Sequence, residues 1–147
     1  MLDIATFHPA QLPVPSQQAA IAAFLHQALE QYGDPVEHIE ACMAYALSAD
    51  AGRGGAVFTA TDTNGKLVGA TIVNHTNMGG YIPEHILVYI AVDATARGQG
   101  VGKQLMQAAI DFVPGSIALH VEADNPAVKL YEALGFTNKY LEMRLAQ

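Results

Sequence analysis

In the stretch "VDATARGQGVGKQL", residues 92–105, glycine stands at alternate positions, Gly98, Gly100 and Gly102, between Arg97 and Lys103. An apolar run, "ILVYIAV" (86–92), ends as the stretch begins. An apolar-periodic segment starts inside it, with Val101, Leu105, Ala109 and Phe112, and Met106 and Ile110 beside them. The pattern predicts a strand, a glycine loop and a helix of about three turns. A helix start exposes main-chain N–H groups and the positive end of the helix dipole. Glycine lets that backbone approach an anion closely and aim successive N–H groups at one point. The loop therefore reads as a phosphate or pyrophosphate cradle, flanked by two cations.

Two familiar nucleotide motifs do not fit. A P-loop needs G-x-x-x-x-G-K-[ST]. Counted back from Gly102-Lys103, Arg97 stands where the first glycine belongs and Gln104 where Ser or Thr belongs. The dinucleotide pattern G-x-G-x-x-G fails because Gly98 and Gly100 are followed by Lys103.

The remaining elements place this unit in an α/β chain with a mixed sheet. Ser16 is the expected cap of a first helix, with Ile21, Phe24, Leu25, Ala28, Leu29 and Tyr32 on its stripe and Gly33 at its end. "DPVE" opens a second, with Asp34 as cap, Pro35 in the first helical position and Glu37 at capping-box spacing. Two strand-like runs, "AVFTAT" (56–61) and "KLVGATIV" (66–73), flank an Asn64-Gly65 hairpin signal. A long loop, "NHTNMGGYIPEH" (74–85), precedes the apolar run at 86–92, whose two apolar faces suit a central strand. "IALHVE" (117–122) is a further strand, which should run parallel to 86–92 after a right-handed crossover. "DNPAVKLYEALGF" is a short helix capped by Asp124 or Asn125, and "NKYLEMRL" (138–145) a closing strand.

With 147 residues, 51% hydrophobic and 14% charged, the chain suits a single globular domain, residues 1–147. No apolar run approaches the roughly 18 to 20 residues of a membrane helix. "MLDIATFHPAQ" has no Lys or Arg and does not read as a signal peptide. The single cysteine, Cys42, excludes an internal disulfide and favours a cytoplasmic setting. Seven scattered Lys and Arg against a net charge of −7 do not make a nucleic-acid patch. Net negative charge ordinarily serves solubility; the alternative reading is that an acidic surface favours the approach of a cationic substrate. His8, His26, His38 and His75 show no ligand spacing, so no metal is expected.

The run Arg97-Gly98-Gln99-Gly100-Val101-Gly102, after an apolar strand ending in Val92-Asp93, resembles the [RQ]-x-x-G-x-[GA] loop of the GNAT superfamily of N-acetyltransferases. "DNPAVKLYEALGF" is similar to that family's second signature: an Asn, then Ala, Leu-Tyr and Gly-Phe. The spacing from Asn125 to Tyr131 is one residue shorter than in many members. The order of elements agrees from about residue 15 to the end.

The resemblance implies a mixed sheet, about four flanking helices, and a parallel strand pair that splays to admit acetyl-coenzyme A. It implies that the N–H groups of Gln99 to Lys103 hold the pyrophosphate. It further implies that Arg97, Lys103 and Asn125 assist, and that Ile90, Ala91 and Val92 bond the pantetheine arm. The implied reaction is acetyl transfer to a primary amine of a small molecule, peptide or protein, by direct attack in a ternary complex. A non-catalytic acetyl-CoA sensor of the same fold is the alternative. Tyr131 matches the family's general acid, and a main-chain N–H near Val92 the oxyanion donor. Glu84 and His120 are the candidate bases, with Glu122 on the same strand face as His120, and a water chain is a third possibility. Many relatives pair through their later strands, so "NKYLEMRL" could furnish the edge of a homodimer.

Overall fold

A computed structural model describes all 147 residues. Five strands form one sheet in the order β1 (Asp3–Phe7), β2 (Gly55–Thr61), β3 (Leu67–His75), β4 (His85–Val92) and β5 (Ile117–Leu119). The first four pair antiparallel and β4 pairs parallel with β5, so the sheet is mixed. Four α-helices cover it: α1 (Pro15–Ala28), α2 (Val36–Ala46), α3 (Val101–Phe112) and α4 (Ala127–Ala133). None is long and apolar enough to cross a membrane.

The core lies on both faces of the sheet, because the central strands carry apolar residues at successive positions rather than alternate ones. On one face Phe58, Val73 and Leu87 meet Val101, Leu105, Met106 and Ala109 of α3, together with Tyr131 of α4. On the other, Val57, Ile72, Tyr89 and Ala91 meet Ile21 and Leu25 of α1 and Ile39 and Met43 of α2. The β2–β3 hairpin closes where expected. Asp62 Oδ1 accepts from the N–H groups of Asn64 and Lys66, and Gly65 adopts the left-handed conformation the turn needs, φ +78°.

Several local expectations are corrected. Ser16 does not cap α1: Pro15 opens that helix, and the Gln17 side chain accepts from the Val14 N–H at 2.9 Å. Asp34 does not cap α2, and Pro35 stands before its first residue, Val36. The Asp34 carboxylate, one residue outside the cap position, accepts instead from the Tyr89 hydroxyl at 2.5 Å. β1 is not anticipated by the sequence pattern, because its short run shows no sustained alternation and is held by long-range pairing with β2.

The expected strand at 117–122 forms only over Ile117–Leu119, so His120 and Glu122 do not share a strand face. The expected closing strand at 138–145 does not form. No main-chain N–H beyond Phe136 bonds to another main-chain group. Tyr140, Leu141, Met143 and Leu145 are all exposed. A strand needs a neighbour to take its hydrogen bonds, and three-residue β5 offers little edge. The edge expected to serve a homodimer is thus not a strand here.

Helix α3 sits directly on β3 at Gly69. A Cβ built there would lie 2.8 Å from both Leu105 Cδ1 and Val101 Cγ1. Gly69→Val should therefore lower stability by about 1–3 kcal/mol in urea titration. An unchanged midpoint would contradict this seating of α3.

Candidate active site

The site starts from a fault in β4. Ile72 opposes Tyr89, but Val73 opposes Leu87, which leaves Val88 as the unopposed residue of a bulge. The bulge resets the side-chain alternation. Leu87 points into the α3 side of the core, while Tyr89 and Ala91 point into the α1–α2 side. Parallel pairing with β5 stops at the same place: its last matched pair is Leu87 with Leu119.

Beyond Val88, then, β4 has a neighbour on one edge alone. The Asp93 N–H bonds to the Val68 carbonyl at 2.8 Å. In an antiparallel ladder, residues two apart face the same neighbour. Ala91 and Tyr89 therefore bond to β3, while Ile90 and Val92 turn their main-chain groups to the open edge.

That edge leads into the glycine loop. Seven successive main-chain N–H groups, Arg97 to Lys103, find no acceptor in the chain; the next, Gln104, bonds to the Gly100 carbonyl at 3.1 Å and starts the α3 ladder. Gly98 and Gly100 have φ of +78° and +81°, and a Cβ on either would meet nothing within 4 Å. Their backbone is bare toward solvent. Gly102 serves packing instead, since a Cβ there would meet Leu130 Cδ2 at 3.1 Å. Its bare backbone lets α4 lie against the start of α3.

Arg97 is partly committed elsewhere. Its Nε donates to the Val92 carbonyl at 3.1 Å and an Nη to the Ala28 carbonyl at 3.2 Å, tying the loop to β4 and to the end of α1. Lys103 and Gln99 are exposed. A cavity of about 270 Å³ beside the loop is lined by Leu2, Asp62, Gln99, Val101 and Gln104, and by no residue of β4 or β5.

Tyr131 is buried against Phe136, with ring centroids 6.0 Å apart, and burial pushes its phenol up to about 12. Its hydroxyl makes no hydrogen bond within the chain, and it is not among the sealed-off polar atoms. It is a free, protonated donor. Asn125 stands just before α4, its Oδ1 accepting from the Ala127 N–H at 2.9 Å.

The two candidate bases lie at opposite ends of the strand pair. His120 follows Leu119, where β4 and β5 part, and is exposed. Glu84 stands before His85, where the pair begins. Its carboxylate accepts from the Ser116 N–H at 2.7 Å and the Gly80 N–H at 3.3 Å, which hold it below the usual carboxylate range. Next to it, His85 is buried and edge-on to His75, and desolvation lowers its pKa. Burial raises the Cys42 thiol to about 11, so it remains a thiol and is a poor nucleophile. No three His, Cys, Asp or Glu side chains come together as a metal site.

The profile of the Acetyltransferase (GNAT) family matches residues 18–136. The chain belongs to that family. It is 34% identical over 84 residues to mycothiol acetyltransferase of Arthrobacter sp. (strain FB24), a match covering 53% of this chain and 26% of that protein. The chain thus spans about a quarter of that relative's length. Two solved structures share its fold. Aminoglycoside N-acetyltransferase AAC(6′)-Iy in complex with CoA superposes with a TM-score of 0.70 at 20% identity, over 100% of this chain and 96% of that one. The ribosomal-protein-S18-alanine N-acetyltransferase of Escherichia coli superposes with a TM-score of 0.67 at 21% identity, over 95% and 80%.

The Glu84 clamp generates a pH dependence. Its pKa is depressed below the ordinary 4.5, so its contribution to stability is present above that value and is lost as pH falls through the folded value. Glu84→Gln should flatten the fall of Tm between about pH 5 and pH 3 relative to wild type. Parallel curves for the two proteins would show that the clamp contributes nothing.

Proposed function

We propose that the chain transfers the acetyl group of acetyl-CoA to a primary amine by direct attack in a ternary complex. The observation that carries this reading is the row of seven unpartnered N–H groups, Arg97 to Lys103, continuous with the open edge of β4. A diphosphate needs many donors and little side chain, as this loop provides. An amide-bearing arm needs a strand edge, and Ile90 and Val92 offer one. In this reading Gln99, Gly100, Val101, Gly102 and Lys103 hold the diphosphate, while Arg97 chiefly shapes the loop.

The neutral amine adds to the thioester carbonyl, whose oxygen becomes negative and takes a main-chain N–H at the open edge of β4. The C–N bond forms, the C–S bond breaks, and the amine proton passes to a base. His120 suits that last role better than Glu84. His120 is exposed at the point where β4 and β5 part. Glu84 is already bound by two N–H groups at the far end of the pair.

Tyr131 donates to the departing sulfur. A phenol near 12 is too weak an acid for an ordinary thiolate, whose conjugate thiol has a pKa of about 8.5. Desolvation narrows that gap, because a site closed to water disfavours a thiolate as it disfavours a phenolate.

Acetyl-CoA and CoA should both raise Tm and bind in calorimetry, because diphosphate and arm contacts are common to the two. Gly100→Asp sets a carboxylate beside the diphosphate, and Asp is among the residues that tolerate a left-handed φ. It should abolish that binding while leaving the circular dichroism spectrum unchanged. Wild-type affinity in this variant would remove the loop from the site. Tyr131→Phe should keep CoA affinity and lower turnover about a hundredfold or more. Unaltered turnover would contradict the donor role.

A further inference from the structure

The connection between α1 and α2 spans the open edge of β4. At one end, the Ala28 carbonyl holds Arg97 of the glycine loop at 3.2 Å. In the middle, the Tyr32 hydroxyl lies 3.5 Å from the Asp124 carbonyl, on the far side of the parted strands. At its close, Asp34 Oδ2 accepts from the Tyr89 hydroxyl at 2.5 Å. Tyr89 is the residue after the Val88 bulge, so the fold delivers this carboxylate to the place where the strand pair opens.

Asp34 stands one residue before Pro35, the cap position of α2, and takes none of the first-turn N–H groups. Here α2 has no side-chain cap, and the carboxylate faces Tyr89 instead. The Tyr89 ring is buried, whereas Asp34 is exposed. Oδ1 of Asp34 has no hydrogen bond or ion pair with the rest of the chain. The cation whose charge feels Asp34, Arg144, is itself engaged by Glu142. The result is an exposed carboxylate aimed by one short bond, its second oxygen unpaired, on the residue bonded to Tyr89 just past the point where β4 and β5 part.

We propose that Asp34, positioned by Tyr89, binds a non-reacting ammonium group of the acceptor, and that the acceptor is a small multiply cationic amine such as a polyamine or an amino sugar. The inference rests on the acetyltransferase reading above. Chemistry selects the non-reacting group. The attacking amine must be neutral, and a carboxylate beside it would hold it as ammonium. A second ammonium on the same acceptor gains from the carboxylate with no such penalty. The net charge of −7 favours the approach of such a molecule.

The test is calorimetry on the full chain saturated with CoA, with spermidine, tobramycin and n-butylamine as probes. Spermidine or tobramycin should bind the wild type about tenfold more tightly than n-butylamine. Asp34→Asn should remove that preference and leave CoA affinity within about twofold. Tyr89→Phe should lose part of the preference, since the carboxylate remains but is no longer aimed. Preference for spermidine alone assigns a polyamine, and for tobramycin alone an amino sugar. Absence of any preference in the wild type, or a full preference in Asp34→Asn, overturns the proposal while the cofactor assignment stands. Failure of the wild type to bind CoA sinks the acetyltransferase reading itself, and this inference with it.

Discussion

Everything around the site depends on where β4 stops pairing with β5. Parallel strands normally stay together, because each residue pair forgone leaves main-chain groups without partners. Here pairing ends at Leu87 and Leu119, beside a bulge that takes up one residue of β4, Val88. The Val92 carbonyl accepts from Arg97 Nε, and the groups released at Ile90 and the Val92 N–H cost little on an edge open to water. They also become a template for an extended, amide-bearing ligand. One extra residue in one strand thus accompanies the change from a closed sheet to an open edge.

The rest of the architecture is arranged around that opening. On one side α3 begins with its first N–H groups uncommitted, and Gly102 lets α4, which carries Tyr131, press against it. On the other, α1 and its connection to α2 lie across the edge, tied by Arg97, Tyr32 and Asp34 to three separate elements. None of these ties is strong alone, since they involve exposed or half-buried groups. Together they fix the connection over the cleft, next to the bulge.

The glycine loop, the central strand, the β2–β3 hairpin and α3 were legible in the sequence, because each is encoded within a window of about a dozen residues by periodicity or turn chemistry. The short helix α4 after Asn125 was legible through a motif. Elements decided by distant pairing were not. β1 exists because β2 offers an edge, and the apolar alternation of Tyr140 to Leu145 yields no strand because no edge is offered. The bulge at Val88 leaves no trace in "ILVYIAV", which reads as uninterrupted strand. The Asp34–Tyr89 bond joins residues far apart in the chain, and Asp34 carries a local signal, the helix cap, that points elsewhere. Charge balance was readable, whereas the commitment of Arg97 to two carbonyls was not.

The central claim is that one ligand occupies both the open edge of β4 and the N–H row of the glycine loop. Amide hydrogen exchange with and without CoA, resolved by residue, tests it most directly. The account predicts slowed exchange at Ile90 and across Gly98 to Lys103, with Tyr89 and Ala91 little changed because β3 already protects them. Protection confined to the cavity beside Leu2 and Gln104, or absent from Ile90, would contradict it.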